Sequence, residues 1–204
     1  MALQRWTAVR RLCVMVGGGL ALLAVLLAVT ARGAAPVKAA PPQVPASAWA
    51  SGEPVTTTVS AGPGQSQLWS IPQYGITITF RPNSVNGQSV FTFTPQPSLP
   101  GDFPRTLTPY YFALTGIWTG IGNGGRPVSL GGTGIEIELD YVESDLGTAD
   151  ESSLGVMHYR FAEWADIPAA LYLSQDAVVW ETMYTGYFAL GGYGERLFVP
   201  VVYR

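Results

Sequence analysis

Through the middle of the chain, apolar residues fall at every second position. Ile76, Ile78 and Phe80 alternate with threonines, and Phe91 and Phe93 do the same. Ile135, Ile137, Leu139 and Tyr141 alternate with Glu136, Glu138 and Asp140. A period of two places one set of side chains on one side of an extended chain, so each run predicts a β-strand with one buried face. Further strands are expected at residues 67–70, 110–115, 155–160, 178–181, 184–190 and 197–203. Turn signals separate the runs: Pro82-Asn-Ser, Asn86-Gly87, Pro100-Gly101-Asp102 and Asn123-Gly-Gly-Arg-Pro127. Past the N-terminal segment no stretch holds a helical period over a long span. Many short strands between regular turns predict an all-β, antiparallel β-sandwich.

One apolar run has no alternation. Residues 13–30 are almost wholly apolar, with Arg5, Arg10 and Arg11 before them and small residues after them. That order is the pattern of a secretory signal peptide, here residues 1–33. The rival reading is an uncleaved membrane anchor, since the run approaches the length needed to cross a bilayer. Residues 34–55 are rich in Ala and Pro and predict an extended linker. The sandwich is then expected over residues 56–190. Gly191, Gly192 and Gly194 read as a hinge before a C-terminal strand or tail, residues 191–204.

Charge and cysteine content narrow the picture. Four of the eleven basic residues, Arg5, Arg10, Arg11 and Arg32, lie in the leader. Seven basic residues then face fourteen acidic ones, a net charge of −7 on the exported part. Such a surface repels nucleic acid. The single cysteine, Cys13, also lies in the leader, so the exported domain has neither disulfide nor thiolate and depends on its apolar core.

Several segments carry a family resemblance. Gly75-Ile-Thr-Ile-Thr-Phe-Arg-Pro-Asn-Ser-Val85 followed by Val90-Phe-Thr-Phe-Thr-Pro95 resembles an extracellular β-domain of secreted bacterial proteins, especially those of Chloroflexota. Ile135-Glu-Ile-Glu-Leu-Asp-Tyr-Val-Glu-Ser-Asp145, Asp150-Glu-Ser-Ser-Leu154, Met157-His-Tyr-Arg160 and Tyr184-Thr-Gly-Tyr-Phe-Ala-Leu190 are similar to later strands and turns of the same domain. A more distant likeness is to the zona-occludens and netrin-receptor type β-sandwich. Pro82-Asn-Ser-Val departs from the Pro-Gly-Ala turn usual there and leaves that loop's geometry open. The resemblance implies an exported sandwich module and supplies no catalytic residues.

Candidate chemistry is sparse. The one histidine, His158, is expected to face solvent if Met157 and Tyr159 face inward, and no Gly-x-Ser-x-Gly elbow accompanies it. One histidine and no exported cysteine give no transition-metal pattern. Calcium has a better basis, because seven of the fourteen acids fall within residues 136–151. Glu143, Asp145 and Asp150 are the candidate calcium ligands; the competing reading makes Asp150 the cap of a short helical turn. Glu136 and Glu138 share a strand face and raise carboxylate-based hydrolysis as a remote reading. Trp118 and Trp164 are the candidate sugar-stacking residues, the other reading being that tryptophans fill the core. The expectation is a secreted or cell-surface, non-enzymatic module with a structural or binding role. The alternative is a carbohydrate- or cell-wall-binding module. Its partners would be polysaccharide, cell wall or a surface protein, and a membrane only if the N-terminal segment is retained.

Overall fold

The computed structural model describes residues 46–50, 52–60, 62–120 and 124–194. The leader, the strand expected at 197–203 and most of the expected linker lie outside them. Among the described residues, eleven strands form two antiparallel sheets: β1 (Val55–Val59), β2 (Gln67–Ile71), β3 (Ile76–Phe80), β4 (Ser89–Pro95), β5 (Thr106–Trp118), β6 (Ile135–Asp140), β7 (Gly155–Arg160), β8 (Glu163–Ile167), β9 (Ala169–Tyr172), β10 (Ala177–Thr182) and β11 (Gly186–Gly192). The six-stranded sheet runs β1-β4-β5-β11-β7-β8 and the five-stranded sheet runs β2-β3-β6-β10-β9. The two pack face to face as an all-β sandwich. The chain moves between the sheets repeatedly, and between β8 and β9 it crosses at the single residue Pro168.

The alternating runs supply the core. Phe91, Phe93, Phe112, Leu114, Phe188 and Leu190 face inward from the larger sheet, against Ile76, Ile78, Phe80, Ile135, Ile137, Leu139 and Trp180 of the smaller. All are nearly inaccessible to water, and this apolar burial is the main favourable term in folding. Trp69 and Trp180 are core residues, as the second reading of the tryptophans has it.

Three boundaries differ from expectation. Ala46–Ala50 forms a short helix, α1, inside the stretch expected to be extended linker. Its Trp49 is 2% exposed and meets Tyr74, Phe93 and Tyr110 edge-on, with ring centroids 5.4–5.8 Å apart. The domain therefore begins before residue 56. Gly191 and Gly192, expected to be a hinge, are buried within β11. A side chain at Gly191 would lie 2.6 Å from the ring of Phe103, so close packing, not flexibility, calls for glycine there. Finally, β8 and β9 were not expected. The two-residue turn between β7 and β8 is Phe161-Ala162, which carries no Gly, Asn, Asp or Pro to mark it. Among the described residues no helix is long and apolar enough to cross a membrane.

Candidate functional site

A cleft of about 430 Å³ opens between the two sheets at one corner of the sandwich. The β7–β8 hairpin contributes His158, Arg160, Ala165, Asp166 and Ile167. From the other side come Gly132, Thr133 and Gly134, and the end of β10 with its exit, Glu181, Thr182, Met183 and Tyr184. The volume lies within the roughly 300–1,000 Å³ typical of small-molecule sites.

His158 sits deep in this corner, and its burial corrects the expectation that it faces solvent. It is 3% exposed and lies on the inner face of β7, directly opposite Phe188. Met157, on the other face, is also 3% exposed, so both sides of β7 are covered and alternation carries no information there. The imidazole stacks at 4.7 Å on Phe188 and at 5.5 Å on Tyr184, near-parallel to each. Its Nε2 lies 3.2 Å from the carbonyl oxygen of Thr185. A carbonyl only accepts, so Nε2 carries the proton. Burial lowers the imidazole's pKa, Arg160 lowers it further, and the Thr185 carbonyl opposes both. His158 is therefore neutral at neutral pH. Gly186 makes room for it: its φ is 137°, and a side chain there would lie 2.9 Å from Nε2.

The charged groups of the cleft are arranged unequally. Arg81 bridges Glu136 at 2.8 Å and Glu181 at 2.6 Å, two carboxylates directly opposite on β6 and β10. Arg105 pairs with Asp166. Arg160 has no ion pair among the described residues, although Glu163 lies opposite it in the strand register. Its guanidinium sits 5.0 Å from the Tyr184 ring centroid and 6.0 Å from that of Phe161. Hydroxyls fix the surrounding loops: Thr133 Oγ1 donates to the Pro82 carbonyl at 2.8 Å, and Thr182 Oγ1 accepts from the Tyr184 amide at 3.0 Å.

The sequence-predicted residues lie elsewhere. Trp118 ends β5 with inward parity, half-buried and packed against the core. Trp164 belongs to the outward row Ala113–Tyr187–Tyr159–Trp164, which crosses β5, β11, β7 and β8. The two tryptophans thus lie on opposite faces of one sheet, and strand spacings separate them by roughly 20 Å. They do not share a platform. Trp164 holds down the 96–105 loop, its Nε1 donating to the Pro100 carbonyl at 3.0 Å and its ring meeting Phe103 edge-on at 5.1 Å.

Glu143 and Asp145 occupy a 3-10 turn, and Asp150 caps the next one. Asp150 Oδ1 accepts from the Ser152 amide at 2.9 Å and from the Ser152 hydroxyl at 2.8 Å. Among the described residues no group of three or more Asp, Glu, His or Cys is assembled to hold a metal ion. The structure therefore does not bring the three candidate ligands together. The cleft residues Arg160, Glu181 and Thr182 were not singled out by the sequence, which separates the contributing segments by about the length of several strands. Comparison with protein-family models, curated proteins and solved structures gives no match.

Proposed function

We propose that this chain is an exported, non-enzymatic surface module that holds a glycan in the inter-sheet cleft. The observation that carries the reading is the lining of that cleft. Two carboxylates, a guanidinium and a half-exposed tyrosine converge on one concavity between rigid strands. A sugar needs that mixture: apolar contact for its C–H faces, and donors and acceptors for its hydroxyls. The leader-like N-terminus and the resemblance to secreted bacterial β-domains support export. His158 supports binding over catalysis, because its ring is packed between aromatics and its Nε2–H is engaged by backbone.

The test is retention on a panel of soluble and insoluble polysaccharides and on bacterial cell walls. Ala165→Tyr, which fills the cleft, should abolish retention while Trp118→Ala leaves it intact, with thermal melts confirming that both variants fold. Retention lost with Trp118→Ala and kept with Ala165→Tyr would return the site to the sheet end. No retention at all would leave a purely structural role.

A further inference from the structure

Resting on that reading, we infer that the cleft selects an acidic glycan, with Arg160 gripping a sugar carboxylate. The first argument is charge accounting within the cleft. Both carboxylates of the lining already have an arginine partner, Asp166 in Arg105 and Glu181 in Arg81, which it shares with Glu136. Arg160 is the lining's remaining cation, and it has no ion pair among the described residues. Its charge is available to a ligand.

The second argument is geometry. A guanidinium stacked on an aromatic ring uses its flat face, and its N–H donors lie in its plane. The contact with Tyr184, 5.0 Å from guanidinium carbon to ring centroid, leaves the fork that matches a carboxylate without an acidic partner among the described residues. Ordering the side chain beforehand removes part of the entropy that binding would otherwise cost.

The third argument is backbone strain. Phe161 and Ala162 both have positive φ, 54° and 66°. Neither residue type favours that region, and hairpin turns of this kind normally carry Asn or Gly. The turn nonetheless keeps a phenylalanine that is 93% exposed and buries nothing. Its visible contact is with Arg160. Strain retained beside a site is strain the surrounding structure tolerates for positioning.

The ligand class follows. A carboxylate on a sugar ring fits the fork, while Glu181, Asp166 and the backbone can accept its hydroxyl protons. Bulk attraction is not the source of affinity, because the exported chain carries a net charge of −7 and repels polyanions overall. Binding of an acidic polymer to this protein requires a local site.

The experiment is affinity electrophoresis and calorimetry with polygalacturonate, its fully methyl-esterified form, and polyglutamate. Wild type should bind polygalacturonate and not the esterified polymer. Arg160→Gln should weaken that binding by about tenfold to a hundredfold, the range a charged hydrogen bond supplies, and Arg160→Lys should restore only part of it. Arg160 is exposed, so neither variant threatens the fold. Equal binding of the esterified polymer, lost with Ala165→Tyr, overturns the carboxylate inference and keeps the glycan-binding cleft. Binding of polyglutamate as tight as polygalacturonate overturns the sugar class. Binding unchanged in both Arg160→Gln and Ala165→Tyr overturns both proposals, whereas no binding to any of the three polymers, with retention on another polysaccharide of the panel, overturns the acidic-glycan inference alone.

Discussion

Single residues of this domain are used against their local preference, and the β7–β8 turn shows it best. Ala162 at φ 66° occupies a region that disfavours any side chain with a Cβ. Ala162→Gly should relieve that strain and stabilise the domain by about 1 kcal/mol, raising the melting temperature by roughly 2–4 °C. Urea denaturation with an unchanged m-value is the check, and a loss of stability would show that the turn is not strained. His158 makes the same point in another way. Its neighbours Met157 and Tyr159 suggested that it faces water, yet Gly186 and Phe188 on the adjacent strand build a pocket for it. Neither partner is within twenty residues of it, so no local pattern could announce the burial.

Elements were legible where one face was wet. β3, β4 and β6 have strictly alternating burial, and apart from Ser89-Val90 at the start of β4 their sequences alternate to match. β8 and β9 escaped because their burial is shallow and mixed, with no fully buried residue in either. α1 escaped for a different reason: five residues are too few to display a helical period, and the surrounding Ala and Pro suggested an extended chain. Yet Trp49 is among the best-buried side chains of the structure. Trp49→Ala should therefore cost about 3–5 kcal/mol, as for other large-to-small changes in a core. Chemical denaturation of the variant measures this directly. A cost under 1 kcal/mol would mean that α1 merely rests on the sandwich. The same packing predicts that a chain starting at Val55 is less stable than one starting before Ala46.

At the scale of the whole molecule, the sandwich could be read from periodicity, but the cleft could not. Its walls come from residues 132–134, 158–168 and 181–184, which only the strand order brings together. The acids of residues 136–151 looked like a site because they are close in sequence; the folded chain spreads them among a strand face and two turns. The same long-range order places two tyrosines where the sheets meet. Tyr110 of β5 accepts a hydrogen bond from the Val142 amide at 2.7 Å, just beyond β6 of the other sheet. Tyr141 donates to Glu151 Oε1 at 2.7 Å.

Burial favours the neutral phenol at both. Tyr110 is pushed up to about 12 from an ordinary 10, and Tyr141 is also raised, by burial first and then by its bond to Glu151. Between pH 10 and about 12 the folded domain keeps the Tyr110 proton that the unfolded chain has released. The stability that the raised Tyr110 pKa contributes is therefore fully present below pH 10 and is lost as pH rises through that window. Denaturation midpoints measured from pH 8 to pH 11.5 should decline only in the upper part of that range. Tyr110→Phe should be less stable at pH 8, since the Val142 amide loses its acceptor, and should show a shallower alkaline decline. An unchanged slope in Tyr110→Phe would show that the phenol is ionised as easily in the folded domain as in water, and that the junction between the sheets is more open than its hydrogen bond implies.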